Sequence, residues 1–369
     1  MVKIFLNNLV DLPTSLSLSY LWCVGFMLSF FMVLQVLSGV VLSFFYSSSL
    51  NFELLMLWTD DSLFNWFIRY LHIWGVSVIF FLLYIHIARS LYYSSYSKLG
   101  VWNVGFFLYI LLMVEAFLGY VLPWHQMSYW AATVLTSVIL SIPLLGSTIY
   151  YYVIGGYSVS VTETLIRVFP VHVLLGLVLL LLIGLHLFYL HKSGSSSPLY
   201  VVNSYSDCLY FHSYYSVKDI FVFVLILFIM LSVMLISPNL VLDVEAFVEA
   251  NPMVTPVNIK PEWYFLIYYA VLRSVESKVG GLIMIILLLL VLWVPSLNQA
   301  CIYSLGRQLL FWFIVGLFIV MSYFGGCHAE YPFIIASKLG SVLLLILLSV
   351  FKIFWSSPHW IDFRWFNLD

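Results

Sequence analysis

Charge is scarce in this chain. Only 8% of its 369 residues are Asp, Glu, Lys or Arg, against roughly 25% in a soluble globular protein. Hydrophobic residues make up 64%, and the mean hydropathy is +1.08. No water-soluble fold hides that much apolar surface, so soluble enzymes, nucleic-acid binders and disordered scaffolds are excluded. Cysteine is thin as well. Cys23, Cys208, Cys301 and Cys327 stand far apart with no CxxC pair, so neither zinc nor a disulfide framework is indicated; all four read as small buried apolar residues. No CxxCH occurs, and no Gly-rich dinucleotide fingerprint follows a strand. The net charge of −2 gives no hint of a polyanionic partner. The N-terminal MVKIFLNNLVDLP has one lysine, no span and no small-residue cleavage site, and reads as mature sequence rather than a signal peptide.

What is present is length of apolar run. A membrane-spanning helix needs about 20 apolar residues, whereas barrel strands read as short alternating segments. The runs here are long and unbroken, so the sequence predicts an all-α integral membrane protein. Eight transmembrane helices are expected, over 20–46, 64–93, 102–122, 164–190, 220–236, 280–294, 309–324 and 334–354. The stretch 127–157 is apolar too, but Pro143 and Gly146 cut it into pieces too short to cross. Its serines and threonines suit a hairpin in the interface. Eight spans place both termini on one side, with Lys3, Arg89, Lys98, Lys192, Lys218, Arg307, Lys352 and Arg364. The other side carries six Lys/Arg against ten carboxylates, among them Glu53, Asp60, Asp61, Asp243, Glu245 and Glu249. That bias puts the termini inside and the longest loop, 237–279, outside, where a loop of such length is usually functional.

Four of the nine histidines share one spacing. His72 and His86 lie 14 apart in the second run, and His172 and His186 lie 14 apart in the fourth; chance gives about 0.2 pairs at any one chosen spacing. Fourteen helical residues rise ~21 Å and come within about 40° of whole turns, so each pair faces one way, one member near each side of the bilayer. If the two helices are neighbours, four imidazoles form two facing pairs. Two imidazoles make a poor zinc site, but a planar macrocycle with two axial positions suits them, and haem iron takes axial histidine. Gly25 and Gly39 in the first run, and Gly105 and Gly119 in the third, repeat the 14-residue interval. Glycine lets a flat ring approach; its other use in membranes is close helix packing. Arg69 and Arg89 stand three residues from His72 and His86. A buried arginine needs a partner, which haem propionates supply; snorkelling to headgroups is the alternative.

With these frames stand GYVLPWHQMSYWAATV at 119–134, HLFYLHKSGSSSP at 186–198, KD at 218–219 and KPEWYFLIYYAVLRS at 260–274. Together they resemble, over nearly the whole length, the cytochrome b family, the haem-carrying subunits of ubiquinol–cytochrome c reductase (respiratory complex III). The resemblance implies a di-haem four-helix bundle over 1–200, with the interfacial hairpin near 127–157. It also implies a C-terminal four-helix region over 201–369 with the outer PEWY loop. By the resemblance His72 and His172 hold one non-covalent b-type haem near the outer face, and His86 and His186 hold a second near the inner face. Photosynthetic relatives are split in two with one residue more in the fourth-helix spacing, so one continuous chain with 14 is similar to the respiratory type of the mitochondrial inner membrane.

The resemblance further implies two quinone sites. The outer one oxidises ubiquinol with Glu262, Pro261, Phe265, Tyr269 and Phe117, Glu262 taking a proton as a base in a dry pocket. The inner one reduces ubiquinone with His191, Asp219 and Lys218. Taken alone, Glu262 also reads as a solvated loop carboxylate, and His191 as an interfacial histidine. Partners implied are a Rieske iron–sulfur protein, a cytochrome c1-type subunit and other complex III subunits, in a homodimeric assembly within membrane lipid. Electron transfer between the quinone sites is then coupled to proton translocation.

Several positions depart from the family pattern. His125 and Ala131 stand where glycine is usual, and the Ala131 methyl narrows the outer pocket, a change linked in the family to strobilurin resistance. Glu115 is an intramembrane carboxylate where a neutral residue is more common; such groups are functional hypotheses, with a protonated, hydrogen-bonded side chain as the alternative. Gly176 replaces a proline of the fourth run. His125 reads as a hydrogen-bonding neighbour. Two rival classes stay open at this point. A transmembrane ferric reductase would lack PEWY and bring a nucleotide-binding domain; a proton-relaying transporter would show inverted repeats and no haem absorbance.

Overall fold

A computed structural model describes residues 10–48, 51–199, 207–296, 300 and 303–355. Cys301, Lys3 and Arg364 lie outside the described residues, as does most of the N-terminal stretch read above as mature sequence. Twelve α-helices follow one another among the described residues: α1 Val24–Ser43, α2 Asn51–Asp61, α3 Leu63–Tyr92, α4 Leu99–Val121, α5 Gln126–Leu140, α6 Gly146–Ile154, α7 Val161–Ser193, α8 Phe211–Ile236, α9 Leu266–Arg273, α10 Lys278–Trp293, α11 Leu305–Gly326 and α12 Phe333–Ser349. Among the described residues a two-stranded antiparallel pair, β1 Pro13–Ser15 with β2 Cys208–Tyr210, departs from the all-α pattern.

Serines start several of the long helices. Ser62 accepts from Asn65 N at α3, Ser160 from Glu163 N at α7 and Ser277 from Gly280 N at α10, each satisfying an N–H that the helix itself cannot pair. Gly194, at φ +70°, ends α7. Among the described residues seven helical segments are long and apolar enough to cross a bilayer: Tyr20–Ser43, Leu63–Tyr92, Leu99–Val121, Val161–Ser193, Phe211–Ile236, Leu305–Gly326 and Phe333–Phe354. The eighth expected span, α10, has 16 residues, ~24 Å of helix against a hydrocarbon core of roughly 30 Å. The stretch 127–157 forms the two short helices α5 and α6, packed on each other and separated at 141–145, where Pro143 stops the first.

α1 packs along α3, α4 along α7, and α1 also meets α7. Phe31, Ile79, Leu82, Leu179 and Met234 fill the space between α1, α3, α7 and α8, so the fifth long helix shares the core of the first four. A second core, with Ile267, Ala270, Leu288, Ile314, Met321 and Leu344, joins α9 to α12 and takes in Leu91 from the end of α3. α9 lies so close to its neighbours that a Cβ at Gly325 or Gly281 would strike the Leu266 or Leu272 carbonyl.

Two cations expected at the inner surface are not there. Arg307 is buried and donates to the carbonyls of Phe351 at 3.1 Å and Leu91 at 3.2 Å. Lys352 is also buried and donates to the Val294 carbonyl. Both tie helix ends together rather than face headgroups, so they drop out of the charge bias between the two sides.

Candidate functional site

α3 carries His72 and His86 and α7 carries His172 and His186. The rings of His72 and His172 face each other with centroids 6.5 Å apart, and those of His86 and His186 with centroids 6.4 Å apart. Each ring backs onto a glycine. A Cβ on Gly39 would lie 3.1 Å from His72 Cε1, on Gly119 2.7 Å from His172 Cε1, on Gly105 3.0 Å from His186 Cε1 and on Gly25 3.5 Å from His86 Cε1. All four frame glycines therefore border a histidine ring, Gly119 more closely than a side chain allows and Gly39 and Gly105 more closely than most side chains pack.

This arrangement fits a haem between each pair. Two metal–imidazole bonds of about 2 Å, continued to the ring centres, separate the centroids by roughly 6 Å, which is the spacing found. Ring orientation is fixed from outside: Ser38 Oγ lies 2.9 Å from His72 Nδ1, and the Glu115 carbonyl 3.1 Å from His172 Nδ1. In these two rings, with Nδ1 engaged, Nε2 is the nitrogen left for a metal. Among the described residues no cluster of three His, Cys, Asp or Glu exists that could hold a bare metal ion. Arg89 stacks on Trp22 at 5.2 Å and keeps a buried Nε without a partner, an orphaned donor suited to an anion. Arg69 donates to Thr59 Oγ1 at 3.1 Å and Met56 Sδ at 3.3 Å, neither of which neutralises its charge.

The long loop builds a second locality. Glu262 opens the 3₁₀ turn Trp263–Phe265. Tyr264 anchors that turn by stacking on Phe80, centroids 4.1 Å apart, while Tyr84 donates to the Tyr264 carbonyl. Phe265 meets Phe80 edge-on at 5.9 Å. Tyr269 donates to the Ile259 carbonyl at 3.0 Å, with Arg273 over its ring at 4.3 Å. Burial pushes the Glu262 carboxyl up to about 7; the charge of Asp243 adds to the rise, and the Tyr120 hydroxyl and Lys260 oppose it. Asp243 pairs with Lys260 at 3.0 Å. Phe117 sits one turn before Tyr120 on α4, so both share a face. Phe117 packs with Val121, Trp124 and Tyr129 of the hairpin cluster. Ala131 is half-buried on α5, and Pro261 half-buried before Glu262.

His125 has a plain structural job. It is buried, and its Nδ1 accepts the Ser128 N–H at 3.1 Å, capping α5. Burial, with the Arg69 charge adding, drives its pKa down to about 3, so the ring stays neutral and able to accept.

A cavity of about 1390 Å³ opens beside the His86–His186 pair. Gly25, Arg89, Gly105, His191 and Asp219 line it together with those two rings. Lys218 does not: its ammonium donates to the Leu18 carbonyl at 3.2 Å, among the rings of Tyr20, Tyr214 and Tyr215. Cys23 is buried as expected, and it also lines the cavity beside Asp219. Of the other cysteines, Cys208 and Cys327 are only half-buried, not the buried residues expected. Ser38, Tyr120 and Asp243 were missed. Ser38 and Tyr120 were within reach of the pattern, each adjoining a frame glycine; Asp243 was not, since its approach to Glu262 depends on the loop's path.

Fold and site define a class: multi-pass helical membrane proteins that present paired histidines on facing helices. Residues 9–194 match the family described as Cytochrome b/b6/petB, and residues 249–345 the family described as Cytochrome b(C-terminal)/b6/petD. A cytochrome b of Brachionus plicatilis is 43% identical over 341 residues, covering 90% of this chain and 89% of that protein. Among solved structures, a chain of a hyperthermophilic respiratory complex III is similar with a TM-score of 0.89 at 26% identity, covering 96% of this chain and 97% of that one. The chain belongs to the cytochrome b family, and with it to the haem-binding membrane proteins.

Proposed function

We propose that this chain is the core subunit of a ubiquinol–cytochrome c reductase of the mitochondrial inner membrane. It would cross the membrane eight times, α10 included, with a bundle over 1–200, the α5–α6 hairpin in the interface and a second helical region over 201–369. The observation that carries the reading is the pair of facing histidine couples, each backed by two of the four frame glycines. Two b-type haems, held by His72 with His172 and by His86 with His186, supply one-electron carriage between the two quinone sites when bound. Arg69 and Arg89 are the residues placed to meet their carboxylates.

The residues of the chain do the rest. Ubiquinol gives up two electrons only by losing two protons. At the outer site Glu262, held among Phe265, Tyr269, Pro261, Phe117 and Ala131, takes one of these as a base. A carboxyl pushed up to about 7 is suited to accept a proton and to release it outward at ordinary pH. At the inner site the imidazole of His191 and the carboxyl of Asp219 share one cavity with His86 and His186. There they hydrogen-bond the two carbonyls of ubiquinone and hand over protons as electrons arrive, while Lys218 sets the local charge from behind the wall. Protons leave outside and enter inside, so each electron crossing does work of about 2.3 kcal/mol per 100 mV. One electron of each quinol goes to a Rieske iron–sulfur protein and on to a cytochrome c1-type subunit, within a homodimeric complex.

The test is purification of the assembly that holds this chain, followed by a quinol–cytochrome c reductase assay. Turnover with iron–sulfur and c-type subunits present is expected. An intact assembly with no such subunits and no quinol-dependent reduction of cytochrome c would refute the reading.

A further inference from the structure

Two departures from the family pattern, Glu115 and Gly176, meet in space at His172. Glu115 lies one helical turn before Gly119 on α4, and Gly119 is the glycine on which the His172 ring rests. His172 Nδ1 lies 3.1 Å from Glu115 Oε1 and 3.1 Å from the Glu115 carbonyl. The carboxylate thus flanks Nδ1 of the His172 ring. Gly176, one turn after His172 on α7, clears the place: a Cβ there would come within 3.1 Å of Oε1. The second carboxylate oxygen, Oε2, is buried without a hydrogen-bond partner. Among the described residues His172 is the one ion-pair partner of this carboxylate.

His172 stands apart from the others in this. His72 Nδ1 meets the Ser38 hydroxyl at 2.9 Å, and His86 Nδ1 lies 3.4 Å from an Arg89 nitrogen, a cationic donor. The Nδ1–H bond goes to the Glu115 carbonyl; a negative charge beside that nitrogen makes the far nitrogen of the imidazole a stronger donor to a metal. A metal so ligated favours its higher oxidation state, and its reduction potential falls.

We infer that Glu115 is a positioning residue that acts through His172, its carboxylate charge beside Nδ1 lowering the reduction potential of the outer haem, with Gly176 as the vacancy that lets it do so. The inference rests on His172 being an axial ligand. Its test is redox potentiometry of the assembled complex, read optically and by the low-spin ferric EPR signals. Glu115→Gln keeps the shape and an acceptor oxygen but removes the charge. It should raise one of the two midpoints by about 59 mV, a tenfold change in the ferric–ferrous equilibrium, move the EPR signal of that haem, and leave the other haem where it was. Gly176→Ala, which pushes the carboxylate aside without removing it, should move the same midpoint in the same direction. Two haems with unmoved midpoints in both variants would overturn the inference, as would equal shifts of both haems. If Glu115→Gln loses the outer haem, Gly176→Ala decides by the same criterion. A parent complex with fewer than two haems would instead overturn the ligand assignment, before Glu115 is reached.

Discussion

Glu262→Gln removes the carboxyl that is assigned the quinol proton, and the structure sets what should follow. A carboxyl pushed up to about 7 is half ionised at that pH, and only the ionised form is a base. Quinol–cytochrome c reductase activity should therefore rise with pH through about 7, and on the acid side fall roughly tenfold per pH unit. Glutamine cannot take the proton, so turnover at pH 8 should drop by about 10²–10⁴-fold and the acid limb should flatten. Two neighbours make the reasoning sharper. Asp243→Asn removes a like charge and frees Lys260 from its 3.0 Å pair; both changes favour the ionised carboxyl, so the limb should move to lower pH. Tyr120→Phe removes a hydroxyl that favours the ionised form and should move the limb to higher pH. The assay is steady-state reduction of cytochrome c by a short-chain quinol from pH 5 to 9. An acid limb that survives in Glu262→Gln, or moves to higher pH in Asp243→Asn, would refute the assignment.

Three further outcomes are expected. Gly119→Ala, whose methyl would lie 2.7 Å from His172 Cε1, should lose one haem per chain, whereas Gly25→Ala, with 3.5 Å to His86, should keep both; a haem count on the purified complex tells them apart. Ala131→Gly should restore sensitivity to strobilurin-type inhibitors by about 10–200-fold, the effect of one methyl in a pocket, and an unchanged inhibition curve would remove Ala131 from the pocket wall. Arg307→Met should destabilise the chain by about 1–3 kcal/mol, since it strands buried carbonyl acceptors and removes the guanidinium from the Phe351 ring at 3.9 Å; thermal release of haem in detergent measures it.

Helical periodicity carries information within one helix, and that is why the histidine and glycine frames could be read directly. The relation between helices is different. That Glu115 of α4 meets both His172 and the gap at Gly176 of α7 depends on the register of α4 against α7, which no run of residues states. Boundaries failed where helix and apolar run part company. α8 reaches back well before 220, because its turns from Ser213 onward, SYYSVKD, are helical but polar and aromatic, after a kink at the non-helical His212. The amphipathic α2 hid in a loop for the same reason. Ser15 and Cys208 come opposite each other in a strand pair that joins segments nearly 200 residues apart, beyond any local pattern. Burial of Arg307 and Lys352 was illegible too, because carbonyls freed at helix ends, not carboxylates, are what draw them in.

The most direct measurement is a potentiometric titration of the purified complex followed by optical difference spectra. Two b-type haems per chain with separate midpoints are predicted, both lost selectively when a histidine of the corresponding pair is replaced: one with His72 or His172, the other with His86 or His186. A single haem would make one facing pair structural and break the transmembrane relay. No haem in intact protein would contradict the account at its root.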